Sequence, residues 1–270
     1  MCLIIFDWRP DAATGSLLTV AANRDEFFAR ASAPLDWWTD APNVLAGRDL
    51  VGGGTWLGLS RDGRFAALTN YRDPRAFRRD APTRGTLVAD YLTEPAIAPL
   101  DYLYRVAEQG AAYNGFNLIA GDLSRRELGW YCNRADTPPC LLPSGVHGIS
   151  NAVLDTPWPK LVRKRAELAA LVERDDAAPL DRLVEIMRDP RVAPDDALPS
   201  TGIGLERERA LSAAFIDMPD YGTRGTTALR IAAMRASLSV EIVERSDDDG
   251  SHALTRQGGY ERRFAFDIVS

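Results

Sequence analysis

The sequence predicts a single α+β domain with sheet inside and helices outside. Three observations carry that prediction. Strand-like segments fall at both ends of the 270-residue chain and in its middle, and helical periodicity fills two stretches between them. Neither end has enough strands to close a core alone, so strands from both ends must meet. At 46% hydrophobic and 26% charged, the chain is ordinary globular material, long enough to bury about three quarters of its unfolded surface.

In chain order, the first expected strands are residues 3–8, 17–22, 55–60 and 65–70, with GGG at 52–54 and RDG at 61–63 supplying turns. Between 83 and 114 the period changes. Leu87, Val88, Tyr91 and Leu92, then Leu100, Leu103, Tyr104 and Ala107, recur at helical spacing, which predicts two helices divided near Pro95 and Pro99. Strands resume at FNLIAGD (116–122) and ELGWYCN (127–133), and a second helical pair is expected over 159–174 and 180–188. TTALRIAAM, SLSVEIVER and YERRFAFDI (226–234, 237–245 and 260–268) return the tail to strand.

Composition excludes several classes. Net charge is −6, from 32 Lys+Arg against 38 Asp+Glu, and no concentrated basic face is visible, so nucleic acid is not an expected partner. Apolar runs fall short of the ~18 residues a membrane-spanning helix needs. The opening MCLIIFDW is interrupted by Asp7 and Arg9, unlike a signal peptide, which predicts a soluble, cytoplasmic protein without stable membrane insertion. Cys2, Cys132 and Cys140 have neither zinc spacing nor an even count, so no metal site or disulfide framework is expected.

Four polar clusters sit at expected strand ends: AANRDEF (21–27), ALTNY (67–71), GISNA (148–152) and YGTRGTT (221–227). Asn and Asp there serve turns through their own side-chain hydrogen bonds, and strand-end loops are also where a rigid scaffold builds sites. Cys2 likewise has two readings: a small apolar residue on an edge strand, or a nucleophile bared by removal of Met1. In the second, thiol and α-amine share one residue, with ordinary pKa values near ~8.5 and ~7.7 to 8.0, so nucleophile and base coexist without histidine.

Taken together, the initial MC, LTVAANRDEFFAR, GGTWLGLSRDGRFAALTNYRDP, RGTLVADYL, YNGFNLIAGD, GISNAVLDTPWPK and YGTRGTTAL resemble the NRDE or TANGO2 family nearly from end to end. That family is similar to the cysteine branch of the N-terminal nucleophile (Ntn) hydrolases, such as bile salt hydrolase and penicillin acylase. The resemblance implies a four-layer αββα sandwich of two antiparallel sheets spanning residues 1–270. It also implies an amidohydrolase or acyltransferase that acts on an amide or thioester through a Cys2 acyl-thioester.

By the same resemblance, Asn23 and Asp25 match an Asn-x-Asp motif on the second strand, with Asp25 holding the α-amine. Asn70 would donate to an oxyanion, joined by the backbone N–H of Tyr71. Asn151 would orient amine and substrate, and Arg224 would favour the thiolate. Arg24, Glu26 and Trp56 complete the supporting set. The chain departs from the hydrolases in having Ala22 where they carry Arg before the Asn, with Arg24 inside the motif instead. Side chains alternate faces along a strand, so Arg24 is not automatically expected to point where that Arg points: either the strand bulges there or the site lacks one of its cations. The family also implies an alternative, a non-catalytic protein binding or trafficking haem, acyl-CoA or another lipid in the same pocket. No cofactor is required in either reading. Haem would be cargo, with Cys2, His147, His252 and the four methionines as candidate axial ligands.

Overall fold

The computed structural model describes residues 2–94, 97–247 and 258–269. Within them the chain runs β1 (Cys2–Trp8), β2 (Gly15–Phe27), β3 (Ser32–Trp37), β4 (Val44–Asp49), β5 (Leu57–Ser60), β6 (Arg64–Asn70), α1 (Gly85–Thr93) and α2 (Pro99–Glu108). It continues β7 (Phe116–Asp122), β8 (Glu127–Cys132), β9 (Cys140–Leu141), β10 (Gly145–Ile149), α3 (Pro159–Arg174), α4 (Leu180–Met187), α5 (Leu205–Ala210), β11 (Tyr221–Ala233), β12 (Ser237–Ser246) and β13 (Tyr260–Val269). Among the described residues no helix is long and apolar enough to cross a membrane.

Two antiparallel sheets form, ordered β10-β1-β2-β11-β12-β13 and β3-β4-β5-β6-β7-β8-β9. Strand alternation sends Ile4, Phe6 and Trp8 of β1 into the layer between the sheets, where they meet Leu45, Leu59, Phe65 and Ile119 of the other sheet. Leu3 and Ile5 point the opposite way, onto Leu161 and Leu168 of α3 and Leu183 and Met187 of α4. On the far side α1 and α2 lay Leu87, Val88, Tyr91 and Leu103 over Ala66 and Leu118. The result is helix, sheet, sheet, helix: the four-layer αββα sandwich. Each Leu or Phe fully buried in these interfaces contributes roughly 1.5–3 kcal/mol.

The departures from the sequence pattern have physical causes. β1 is not an edge strand, because β10 covers its other side. β3 is marked by Pro34 and Asp36, poor strand formers. It is an edge strand, and Pro34 falls inside a register shift between Ala33 and Asp36, where a missing N–H is tolerated. β2 and β11 are each 13 residues long and pair along their whole length, so AANRDEF and YGTRGTT lie inside strands and not in loops beyond them. The GGG turn has a second use. At Gly54, with φ +75°, a Cβ would stand 2.3 Å from the Gly85 carbonyl oxygen, so this loop packs against the start of α1.

Candidate active site

At one end of the layer between the sheets lies a cavity of about 380 Å³. Cys2 and Arg24 line it from the six-stranded sheet, Asn70 from the seven-stranded one and Trp56 from the segment just before β5. Cys2 is directly opposite Arg24 in the β1–β2 register, and directly opposed residues project on the same face. That face is the inner one, continuing Ile4 and Phe6. Asn23 therefore turns outward, where it is fully buried. Its amide donates to the carbonyls of Met187 (2.8 Å) and Ala214 (2.7 Å), and its oxygen accepts from the Thr226 hydroxyl (2.8 Å). This is a structural clamp between β2, β11 and the helix layer. Asp25, two residues on, borders the cavity and accepts from the Thr223 hydroxyl at 2.7 Å.

Across the gap, Asn70 ends β6. Its carbonyl accepts from the Asn151 amide at 2.8 Å, while its own side-chain amide bonds to no other described residue. The Ser150 hydroxyl lies within reach of both the Cys2 carbonyl (3.4 Å) and the Asn151 side-chain oxygen (3.3 Å). Cys2, Ser150, Asn151 and Asn70 thus form one polar thread that fixes the two sheets' strand ends against each other.

The family described as Transport and Golgi organisation 2 matches residues 1–249. The chain belongs to that family. The human Transport and Golgi organization protein 2 homolog is 40% identical over 274 residues, covering 95% of this chain and 97% of that one. The Bos taurus homolog is 41% identical over 248 residues, covering 86% and 89%. Among solved structures, a cysteine-to-alanine mutant of conjugated bile acid hydrolase from Clostridium perfringens superposes with a TM-score of 0.51 at 9% identity, covering 99% of this chain and 92% of that one. The fold of this Transport and Golgi organisation 2 family member is therefore the Ntn-hydrolase fold.

Three expectations for its site need correction. Arg224 is not the cation facing the thiol. It occupies a bulge between Thr223 and Gly225, where its Nε meets Asp247 at 3.0 Å and its Nη1 donates to the carbonyls of Arg30 and Phe27. Arg24 is a cation that does act on Cys2, and the β1–β2 pairing that places it carries no register shift. The backbone N–H of Tyr71 is not available to an oxyanion, because it donates to the Gly115 carbonyl at 2.9 Å. Asn151 is buried outside the cavity lining and holds Asn70, not a bound molecule. Glu26 stands at the cavity wall, accepting from the Phe27 N–H, and Trp56 is half-buried between cavity and inner core.

The electrostatics also differ from expectation. Burial pushes the Cys2 thiol up, reinforced by the Asp25 carboxylate and opposed by the Asp25 backbone N–H and Arg24. The expected depressed thiol is thus not the resting state. Burial likewise pushes Asp25 up, resisted chiefly by Lys160, then by the Thr223 hydroxyl and Arg72.

Sequence reasoning missed Lys160. It is 1% exposed, donates to the Leu211 carbonyl at 3.0 Å, and burial brings its pKa down to about 8 against the attraction of Asp25 and Cys2. The available signal was its place in the first turn of α3 directly after Pro159, where the helix dipole disfavours a cation. Arg72 was missed too. It faces Asp25 while paired to Glu208 at 2.6 Å.

Of the other residues considered earlier, Cys132 is buried in the inner core and Cys140 packs beside it. His147 has both ring nitrogens engaged, by Asp155 (2.9 Å) and the Pro143 carbonyl (3.1 Å). Met1, Pro95 and His252 lie outside the described residues.

Proposed function

We propose that this protein is an N-terminal-cysteine amidohydrolase or acyltransferase acting on a small-molecule amide or thioester. One arrangement supports the reading: the Cys2 thiol and Arg24 on one wall of a cavity, with the uncommitted side-chain amide of Asn70 on the other. With Met1 removed, the α-amine of Cys2 takes the thiol proton and the thiolate attacks the substrate carbonyl. Asn70 donates to the oxyanion, a contribution of roughly 3 kcal/mol for one such donor. The protonated α-amine then gives its proton to the leaving amine as the C–N bond breaks, leaving an acyl-thioester on Cys2. Water or another acceptor attacks that thioester, its proton returns through the α-amine to sulfur, and the thiol is restored. Asp25, whose charge Lys160 and Arg72 favour against burial, is the group that orients the α-amine.

The test is intact mass before and after brief, low-dose iodoacetamide treatment at neutral pH, with peptide mapping. Loss of Met1 with fast, selective labelling of Cys2 is the expected result. Retained Met1, or a Cys2 no more reactive than Cys132 and Cys140, overturns the mechanism. With a substrate in hand, Cys2→Ala abolishes turnover while folding is kept, Cys2→Ser leaves a trace, and equal turnover by the alanine variant would refute the role of the thiol.

A further inference from the structure

The cavity is far more cationic than the chain that builds it. Net charge over the whole sequence is −6, yet the cavity lining holds seven arginines against five acidic residues, Asp25, Glu26, Asp49, Glu244 and Asp247. Three are neutralised inside the protein: Arg30 by Asp49 at 2.7 Å, Arg48 by Asp40 at 2.6 Å and Arg224 by Asp247 at 3.0 Å. The other four, Arg24, Arg78, Arg79 and Arg84, have no carboxylate within ion-pair distance among the described residues. Arg24 spends one N–H on the Ser32 hydroxyl at 3.4 Å, and Arg84 one on the Gly115 carbonyl at 2.9 Å. Arg78 bonds the carbonyls of Ala111 (3.0 Å) and Ala112. A guanidinium carries five donors, so most of theirs remain open to a ligand.

Position sorts these four into two tiers. Arg24 and Arg84 are half-buried, and both act on the Cys2 thiol. Arg78 and Arg79 stand on the exposed stretch 74–80 at the mouth. Arg84 also caps α1, whose first turn holds no acidic residue, so the positive end of that helix adds to the field. Glu244 and Asp247 act on Arg24, and Glu26 on Arg84, only from beyond ion-pair distance. Desolvated guanidinium groups without a close partner are costly, and carboxylates, sulfonates and phosphates match their planar fork.

We propose that the cavity contains an anion subsite, formed by Arg24 and Arg84 with Arg78 and Arg79 guiding entry, and that the substrate attacked by Cys2 bears a carboxylate, sulfonate or phosphate held there. This rests on the Cys2 reading above for the identity of the attacking group, and on the arginines alone for the subsite.

The experiment compares Cys2 labelling rates by iodoacetate and iodoacetamide at fixed ionic strength. Both reagents alkylate the same thiolate with loss of iodide, one as an anion and one neutral. Their rate ratio therefore cancels the thiol's own pKa and reports charge alone. The ratio is expected to exceed that of glutathione by about tenfold, the effect of one charge-assisted contact. It falls toward the glutathione value in Arg84→Gln and at high salt. Acetate, methanesulfonate and inorganic phosphate are added as competitors, and the one that slows iodoacetate most identifies the anion class. A ratio equal to that of glutathione, or unchanged in Arg84→Gln, overturns the proposal.

If Cys2 reacts with neither reagent, the catalytic reading fails separately. The subsite is then judged by calorimetric titration with inorganic phosphate: about tenfold weaker binding in Arg84→Gln supports it, and equal affinity overturns it. Should Arg84→Gln not fold, Arg79→Gln at the exposed mouth takes its place in both measurements, with the same two outcomes on a smaller scale.

Discussion

Lys160 and Lys164 stand one turn apart on the same face of α3, each 1% exposed, and the fold treats their charges in opposite ways. Lys164 is fully partnered, with Glu167 and Asp189 both at 2.7 Å. Burial opposes the Asp189 charge, but hydrogen bonds from Arg191 and Lys164 hold that carboxyl well below the usual range. Lys160 has a single carbonyl acceptor, and among the described residues no carboxylate lies within ion-pair distance of it. One lysine closes a structural network between α3 and the loop after α4. The other stands beside Asp25 and Cys2 with its charge poorly compensated, as groups tuned for proton chemistry are. Burial and helix position are shared, so the difference comes from what the neighbouring elements bring.

The largest expected effect tests the structural half of the comparison. Lys164→Met leaves Asp189 with only Arg163 and Arg191 and costs about 3 kcal/mol in urea unfolding, the range for breaking a buried pair. A loss comparable to that of an ordinary surface substitution would erase the distinction. Lys160→Met does the opposite at pH 7: removing a poorly solvated charge stabilises the fold, by about 1–2 kcal/mol once the lost support of Asp25 is set against it.

The same depressed pKa fixes a pH signature. Between about 8 and the ordinary lysine value the unfolded chain holds a proton at Lys160 that the folded chain has released, so folding stability rises with pH across that interval. The wild type therefore gains on Lys160→Met as pH rises from 8 to 10, by about 2 kcal/mol. Parallel melting curves for the two proteins would show that the charge is not buried as described.

A smaller effect concerns the site itself. Lys160→Met removes a cation that acts on both Asp25 and Cys2, so the pH profile of Cys2 labelling moves upward, slowing the reaction at pH 7 about threefold to tenfold. Lys164→Met should leave that profile in place. The smallest prediction serves as a control at a second charged pair. The hydrogen bond to Asp155 outweighs burial and raises the His147 pKa. Its stabilisation is therefore complete below the ordinary histidine value and lost as pH rises through the raised one. His147→Gln should cost about 0.5–1 kcal/mol at pH 5.5 and less at pH 8.5, by thermal melting.

By itself the sequence determined the elements whose apolar period is strong, because both faces of these sheets are covered and their strands read as continuous apolar runs. Residues 116–122 and 159–174 became β7 and α3 with the bounds their periodicity predicts. It also marked Cys2 and the NRDE tetrapeptide as unusual. Short or Pro-bearing strands such as β3, β9 and β10 carry too few residues to register a period. Only the tertiary structure decided which tetrapeptide residues serve the site. Alternation separates Asn23 from Arg24, but the pairing of Arg24 opposite Cys2 selects the face that looks into the cavity. The bulge at Arg224, the capture of the Tyr71 N–H by Gly115 and the place of Lys160 beside Asp25 are likewise products of contact. Each joins residues at least 44 positions apart, apart from the bulge itself, which is a pairing irregularity between β2 and β11. Local propensity carries no information about such partners, so chain pairing across the two sheets had to supply it.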